Sequence, residues 1–483
     1  MSEPDLSVTE QIAAMSPGEL TLLVQRLLVE VTELKVMVAA RDERIAELEA
    51  ALERRQRDGK RQAAPFSKGK SSDEPKTAGR RKGDGHGRHG HRRAPARKAD
   101  RQIPVCLPGR CPRCGGPVDH ERTASQLVED LPPVAVMLTE FLVEVGRCRD
   151  CGTRVQPRHR DQASDALGAA GVQIGPHAKA FACWLHYELG VSFAKCTKVL
   201  ARFGINVSAS ALVQACAKIG RDLEATFQAV RSEVSSAIAV TGDETGWRVD
   251  GESWWLWVAT CDAATVYAIS QGRGETDAAK VLDLDFDGTI VADGWVVYRS
   301  GFTRALRQSC LAHLLRRAGD LQRDNPAGAT HTPRQVKEIL HQALDARGMP
   351  RPAALGLVDE LTEEIELLAR TPQTHEPNRK LVAHLANELD HDALFTFLEQ
   401  GCDATNWRGE QAIRPAVVNR KVYGGNRTEA GAVTQGRIMT VLRTVAQQGR
   451  DAITLLADHA RAPNPAGLIL PLDFPNTTRL ATH

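Results

Sequence analysis

TGDETGW, residues 241–247, places two adjacent carboxylates, Asp243 and Glu244, between two glycines. It follows the apolar run SAIAV and precedes a segment crowded with tryptophan, so Asp243 and Glu244 stand at the end of what reads as a buried strand. Isolated carboxylates are costly to bury and stay in water unless they are paired or hold a metal. Successive strand side chains point to opposite faces, so only one of the two acids faces a given site, and Asp243 is the candidate.

Working outward, AIAVTGDETGWRV, SWWLWVATCD and ATVYAISQGRG are rich in β-branched and aromatic residues and are separated by acidic or glycine turns, which predicts three strands. ETDAAKVLDLDF reads as a helix leading into the apolar run GTIVADGWVVYRS, and a further apolar stretch ends in RQSCLAHLLRRAGD. Three strands, a helix, a strand, then a strand and a helix is the ribonuclease-H-like order. That order puts one carboxylate on the first strand and another just after the fourth, where Asp243 and Asp293 fall. Asp285 and Asp287 precede the fourth strand and read as turn residues. PRQVKEILHQALDARG, AALGLVDELTEEIELLAR and RKLVAHLANELDHDALFTFLEQ then form an inserted all-α unit.

A third acid is sought among Glu399, Glu410 and Glu429. Glu399 closes an apolar-periodic helix and Glu429 sits in a glycine-rich turn. Glu410 heads RGEQAIRPAVV, where Ile413 and Val417 can anchor one helical face while the acid projects from the first turn. Pro415 is expected to end or kink this helix within two turns. Arg414, Arg420 and Lys421 follow as candidate phosphate contacts.

The 483 residues suffice for about two to four domains, and 42% apolar content suffices for real cores. The formal charge of +2 is unevenly spread: residues 54–101 carry 17 Lys and Arg against 5 Asp and Glu. This tract lacks apolar periodicity and reads as a disordered basic linker. Its GRRKGDGHGRHGHRR segment, with Arg80, Arg81, Lys82, Arg92 and Arg93, is suited to nucleic-acid phosphates. His86, His89 and His91 lie on a flexible backbone that preforms no metal site. No run approaches the roughly 18 apolar residues a membrane span needs, and the acidic, polar start is unlike a secretory signal. A cytoplasmic, nucleoid-associated protein without membrane contact is expected. In that compartment eleven cysteines point to metal binding, not disulfides.

Leu20, Val24, Leu27, Val31, Leu34, Val38, Ile45, Leu48 and Leu52 alternate spacings of four and three, interrupted only by Arg41. Apart from Leu52, β-branched residues occupy a and Leu occupies d, which predicts a parallel dimeric coil over 16–56, opened by Ser16, Pro17 and Glu19 as a capping box. CPRCGG at 111–116 is answered by CRDCGT at 148–153, so Cys111, Cys114, Cys148 and Cys151 can complete a structural zinc shell. The intervening VAVMLTEFLVEVGR is expected to supply strand for a zinc ribbon. Three helical runs between 165 and 235 admit two readings, a helical bridge or a helix-turn-helix with Ser208 as cap and Ser210, Gln214 and Lys218 facing DNA.

The zipper, basic linker, four-cysteine ribbon, GDETGW, VADGWVVY, CLAHLLRR and NWRGEQAIRPAVVNRK together resemble the DDE transposases of bacterial insertion sequences, particularly the sixty-six insertion-sequence family. The resemblance implies Asp243 in its DET-type motif, Asp293 in DG-x-x-x-Y and Glu410 in NN-x-x-E-x-x-L/I-R-P. Trp407 replaces that motif's second Asn. It also implies two Mg²⁺ ions on the three acids, binding of the element's ends and target DNA, and accessory proteins of the same element. A Cys-x-x-His motif is matched by Cys310 and His313, with a structural or DNA-positioning role.

The fold class expected is a multidomain α+β chain: coiled coil 16–56, linker 57–101, zinc ribbon 102–160, helical segment 165–235, ribonuclease-H-like core 236–324 and 406–460 split by the helical insertion 325–405, and a tail 461–483. A catalytically inactive DNA-binding regulator and a structure-specific nuclease of the same fold are the alternatives.

Overall fold

The computed structural model describes residues 15–28, 31, 95–129, 136–162, 164–167 and 171–461. The chain divides into two compact units, Met1–Gln102 and Ile103–His483. In the first, residues 17–28 are helical. The Ser16 amide donates to Glu19 Oε2 at 2.9 Å and the Glu19 amide to Ser16 Oγ at 3.4 Å, a reciprocal capping box. Leu20, Val24 and Leu27 remain exposed. The remainder of the expected coiled coil, apart from Val31, lies outside the described residues, as do Arg80, Arg81, Lys82, Arg92, Arg93 and the three linker histidines.

The second unit is mixed α/β. Its short strands β1 (Gly146–Arg147) and β2 (Arg154–Val155) pair antiparallel around the second cysteine knuckle. The strand expected from VAVMLTEFLVEVGR shrinks to its last two residues, Gly146 and Arg147 of β1: residues 136–145 carry no regular structure. Met137, Leu138 and Leu142 are exposed, and strand propensity without a partner or a face to bury is not enough to make a strand.

Four helices follow: α1 (Pro176–Tyr187), α2 (Phe193–Arg202), α3 (Ala209–Asp222) and α4 (Glu224–Ser235). Ser208 caps α3 by accepting from the Ala211 amide at 3.2 Å. These helices share a core with the sheet: Ala180, Cys183, Cys216 and Val230 belong to the same buried cluster as Trp257 and Val266.

The sheet comprises β3 (Ala239–Val249), β4 (Glu252–Thr260), β5 (Thr265–Ser270), β6 (Thr289–Ala292) and β7 (Leu306–Ser309), ordered β5-β4-β3-β6-β7. β3, β4 and β5 pair antiparallel, whereas β6 and β7 add in parallel, the mixed sheet compatible with a ribonuclease-H-like domain. Asp250 and Gly251, with φ of 51° and 81°, form the two-residue turn between β3 and β4 that matches strand twist. ETDAAKVLDLDF yields only α5 (Glu275–Ala278), because Val281, Leu282 and Phe286 are buried from a run of turns and not from one helical face. After β6 comes α6 (Val297–Ser300), and after β7 comes α7 (Leu311–Asp324).

Helices α8 (His331–Asp345), α9 (Arg351–Arg370), α10 (Glu376–Leu389) and α11 (Thr396–Gln400) gather with α7 around a second core that includes Leu314, Ile339, Leu361 and Leu385. The segment before α11 covers the β7 edge: the Ser309 amide donates to the Ala393 carbonyl at 2.7 Å. The chain returns through α12 (Trp407–Tyr423), α13 (Glu429–Gln447) and α14 (Ala452–Arg461). α13 covers the other edge, its Thr440 and Thr444 hydroxyls accepting from the Tyr267 and Thr265 amides at 2.9 and 3.1 Å. Both edges are thereby protected from pairing with another chain.

Pro415 does not end α12, which runs eight residues past it as far as Tyr423 within its 17-residue length. Ala412, Ile413 and Ala416 are buried against the sheet, and the Tyr267 hydroxyl donates to the Ala412 carbonyl at 2.6 Å. Burial on one face outweighs the missing proline amide.

Candidate active site

The pleat of β3 separates its two acids as alternation requires. Glu244 lies on the face of Gly242, over the ring of Tyr298. A Cβ on Gly242 would stand 2.6 Å from Tyr298 Cε1, so glycine is needed for the ring to lie there. The Tyr298 hydroxyl donates to Glu244 Oε2 at 3.0 Å and Arg273 Nε to Glu244 Oε1 at 3.0 Å. Arg273 is itself held over the rings of Trp255 and Trp295, 4.4 and 3.5 Å from their centroids. Burial pushes the Glu244 carboxyl up and Arg273 opposes this. The Glu244 side chain is 1% exposed and committed to this cluster.

Asp243 faces the other way, towards α12. A Cβ on Gly409 would come within 3.1 Å of Asp243 Cβ, so glycine in the first turn of α12 lets the helix close onto β3 at the acid. Glu410 is the next residue. Asp293 follows β6 and accepts from the Trp295 amide at 3.2 Å. The Asp243 carboxyl is pushed up to about 7 by burial and then by the charges of Glu244, Asp293 and, to a smaller degree, Glu410, against one hydrogen bond from the Glu244 amide. Asp293 and Glu410 thus lie close enough to oppose the ionisation of Asp243, the condition a cation relieves. Among the described residues no three His, Cys, Asp or Glu side chains close into a group that could hold a metal ion, so these acids do not form a finished coordination shell. Their oxygen donors suit a hard divalent cation.

His313 on α7 brings Nε2 to 3.7 Å from Glu410 Oε1. Cys310, directly before α7, lies beside that ring. Burial pushes the Cys310 thiol up, but His313 and the amides of Asn406 and His313 together draw it below its ordinary value. The sulfur in turn raises His313.

The cysteine knuckles form as two separate pairs. The Cys111 and Cys148 amides donate to the Gly116 and Thr153 carbonyls at 2.8 and 2.9 Å, and Gly115 and Gly152 take φ of 74° and 71°. Backbone amides of Arg113 and Cys114 lower the Cys111 thiol, and the Thr153 hydroxyl leads in drawing Cys151 down to about 7. Such thiols suit a metal, yet the four sulfurs do not meet.

Of the sequence-predicted DNA contacts, Gln214 and Lys218 are exposed on α3, with Lys218 Nζ paired to Asp222 at 2.6 Å. Arg414 and Lys421 are exposed on α12. Arg420 is partly buried instead, its guanidinium 5.9 Å from the Trp247 ring and 3.5 Å from Thr245 Oγ1, because its helical face packs on β3. Sequence reading missed Arg273, Trp295 and the two close-approach glycines. Tyr298 was within reach as the last residue of DG-x-x-x-Y.

No described helix is long and apolar enough to cross a membrane. A comparison with curated proteins gives no match. Residues 171–434 match the family described as Transposase IS66 family, a span that contains all three acids, helices α1 to α4 and the insertion but not the cysteine knuckles. That span is more than half of the chain, and the chain belongs to the IS66 family of transposases.

Proposed function

We propose that the protein is a DDE transposase that binds insertion-sequence ends and performs metal-dependent DNA cleavage and strand transfer. The observation that carries this is the approach of Asp243 on β3, Asp293 after β6 and Glu410 in the first turn of α12, felt as the raised Asp243 carboxyl. Asp243, Asp293 and Glu410 would together hold two Mg²⁺ ions. Magnesium, when bound, activates the attacking hydroxyl and neutralises the leaving oxygen of an in-line phosphodiester displacement. Glu244 takes no part in ligation. It anchors Arg273 and Tyr298 and so supports the loop that carries Asp293 and Trp295. Arg414, one turn beyond Glu410, and Lys421 present exposed charge to donor DNA, and α3 offers Gln214 and Lys218 to the duplex. Zinc on Cys111, Cys114, Cys148 and Cys151 would draw the two knuckles together. The zipper would hold two copies for two element ends, in the cytoplasm at the nucleoid, with accessory proteins of the same element as further partners.

The test is a labelled duplex of the DNA flanking the gene, mixed with protein, Mg²⁺ and a supercoiled plasmid. Joined product is expected. Cutting without joining favours a nuclease, and tight end binding with neither favours an inactive regulator.

A further inference from the structure

The insertion 325–405 separates Asp293 from Glu410 along the chain, so something must restore their relative position. The peptide after β7 is built for that task. The Cys310 amide donates to the Ala292 carbonyl at 2.8 Å, immediately before Asp293. The Leu311 amide donates to the Ala404 carbonyl at 3.0 Å, where the chain re-enters from the insertion. Cys310 Sγ accepts from the Asn406 amide at 3.3 Å, and His313 Nε2 reaches Glu410.

The Asn406 contact replaces a missing cap. Asn406 precedes α12, and its side chain makes no capping hydrogen bond although it is 1% exposed. In a capping box the third helical residue supplies an acceptor to the N-cap amide. Here that residue is Gly409, whose missing side chain leaves room for Asp243. The acceptor comes instead from the Cys310 sulfur, across the chain. Glu410, one position later, is left free of capping and meets His313.

We propose that Cys310 and His313 are positioning residues that brace the start of α12 against the end of β6 and so set Glu410 relative to Asp293. This rests on the reading of Glu410 as the third acid. Neither residue touches the reacting phosphate; they act through Asn406 and Glu410, as outer partners of metal ligands do.

The test uses the full chain with two readouts. Hydrogen exchange of peptides covering 404–412 is measured in chelator, and Mn²⁺ affinity is measured by electron paramagnetic resonance. Cys310→Ala and His313→Ala should each speed exchange at 404–412, leave α9 and β4 unchanged, and weaken Mn²⁺ binding about tenfold. Cys310→Ser keeps an acceptor for the Asn406 amide and His313→Gln keeps a donor for Glu410, so both should stay near wild type. Unchanged exchange and unchanged Mn²⁺ affinity in the alanine variants would overturn the proposal. So would exchange that rises equally throughout the molecule, which marks general loosening. Faster exchange at 404–412 with Mn²⁺ affinity unaltered in both His313→Ala and Glu410→Gln supports the brace and removes Glu410 as a ligand.

Discussion

Asp243→Asn should stabilise the metal-free protein at neutral pH while removing a proposed metal ligand. In the fold the Asp243 carboxyl sits at about 7, against an ordinary 3.8, because it is partly buried among like charges. The folded state therefore holds this proton more tightly than the unfolded chain does. The associated stability is fully present below pH 3.8 and is lost as pH rises towards 7. The difference corresponds to about 4 kcal/mol of ionisation cost above neutrality. Neighbouring acids relax as Asp243 titrates, so about 2 kcal/mol is the working expectation. Asparagine keeps the acceptor for the Glu244 amide and cannot ionise. In chelator at pH 8 the variant should melt on the order of 4–8 °C above wild type. At pH 4, where folded Asp243 is protonated, the two should melt within about 1–2 °C. Adding Mg²⁺ should raise the wild type and narrow the gap. Equal melting at pH 8, or a difference that does not change between pH 4 and pH 8, would refute the argument that burial, with like charges beside it, raises the Asp243 carboxyl.

Metal analysis of the purified full chain should find one zinc per chain, lost in Cys111→Ser and in Cys148→Ser, and a zinc-free wild type would remove the ribbon. Charged residues at both Leu27 and Leu34 should weaken self-association by light scattering, and a wild type that sediments as a monomer would remove the dimeric coil. Gly242→Ala should lower stability by about 1–3 kcal/mol in chemical denaturation, since its Cβ displaces the Tyr298 ring and with it the hydroxyl on Glu244. A neutral effect would show that the ring has room to move.

Legibility in the sequence followed the range of the interactions. β3, β4 and β5 were readable because their tryptophans, valines and the Asp250–Gly251 turn act locally, and the opposite facing of Asp243 and Glu244 follows from the pleat alone. The site's supports were not readable. Arg273 reaches Glu244 from beyond β5, and the role of Gly409 emerges only when α12 meets β3. Pro415 misled for the same reason, since local propensity predicts a break and burial against the sheet overrides it. The run at 134–147 erred in the other direction: its composition suits a strand, but among its described residues only Gly146 and Arg147 pair, and 136–145 carry no regular structure. Arg420 shows the limit of reading charge from sequence, because its helical face places it beside Trp247.

If Asp243, Asp293 and Glu410 act together on DNA, strand transfer by single variants should depend on each of them. Asp243→Asn, Asp293→Asn and Glu410→Gln should each bind the element end with wild-type affinity and give no joined product with Mg²⁺, whereas Glu399→Gln and Glu429→Gln should join normally. Joining by any of the first three, or its loss in Glu429→Gln alone, would contradict the account.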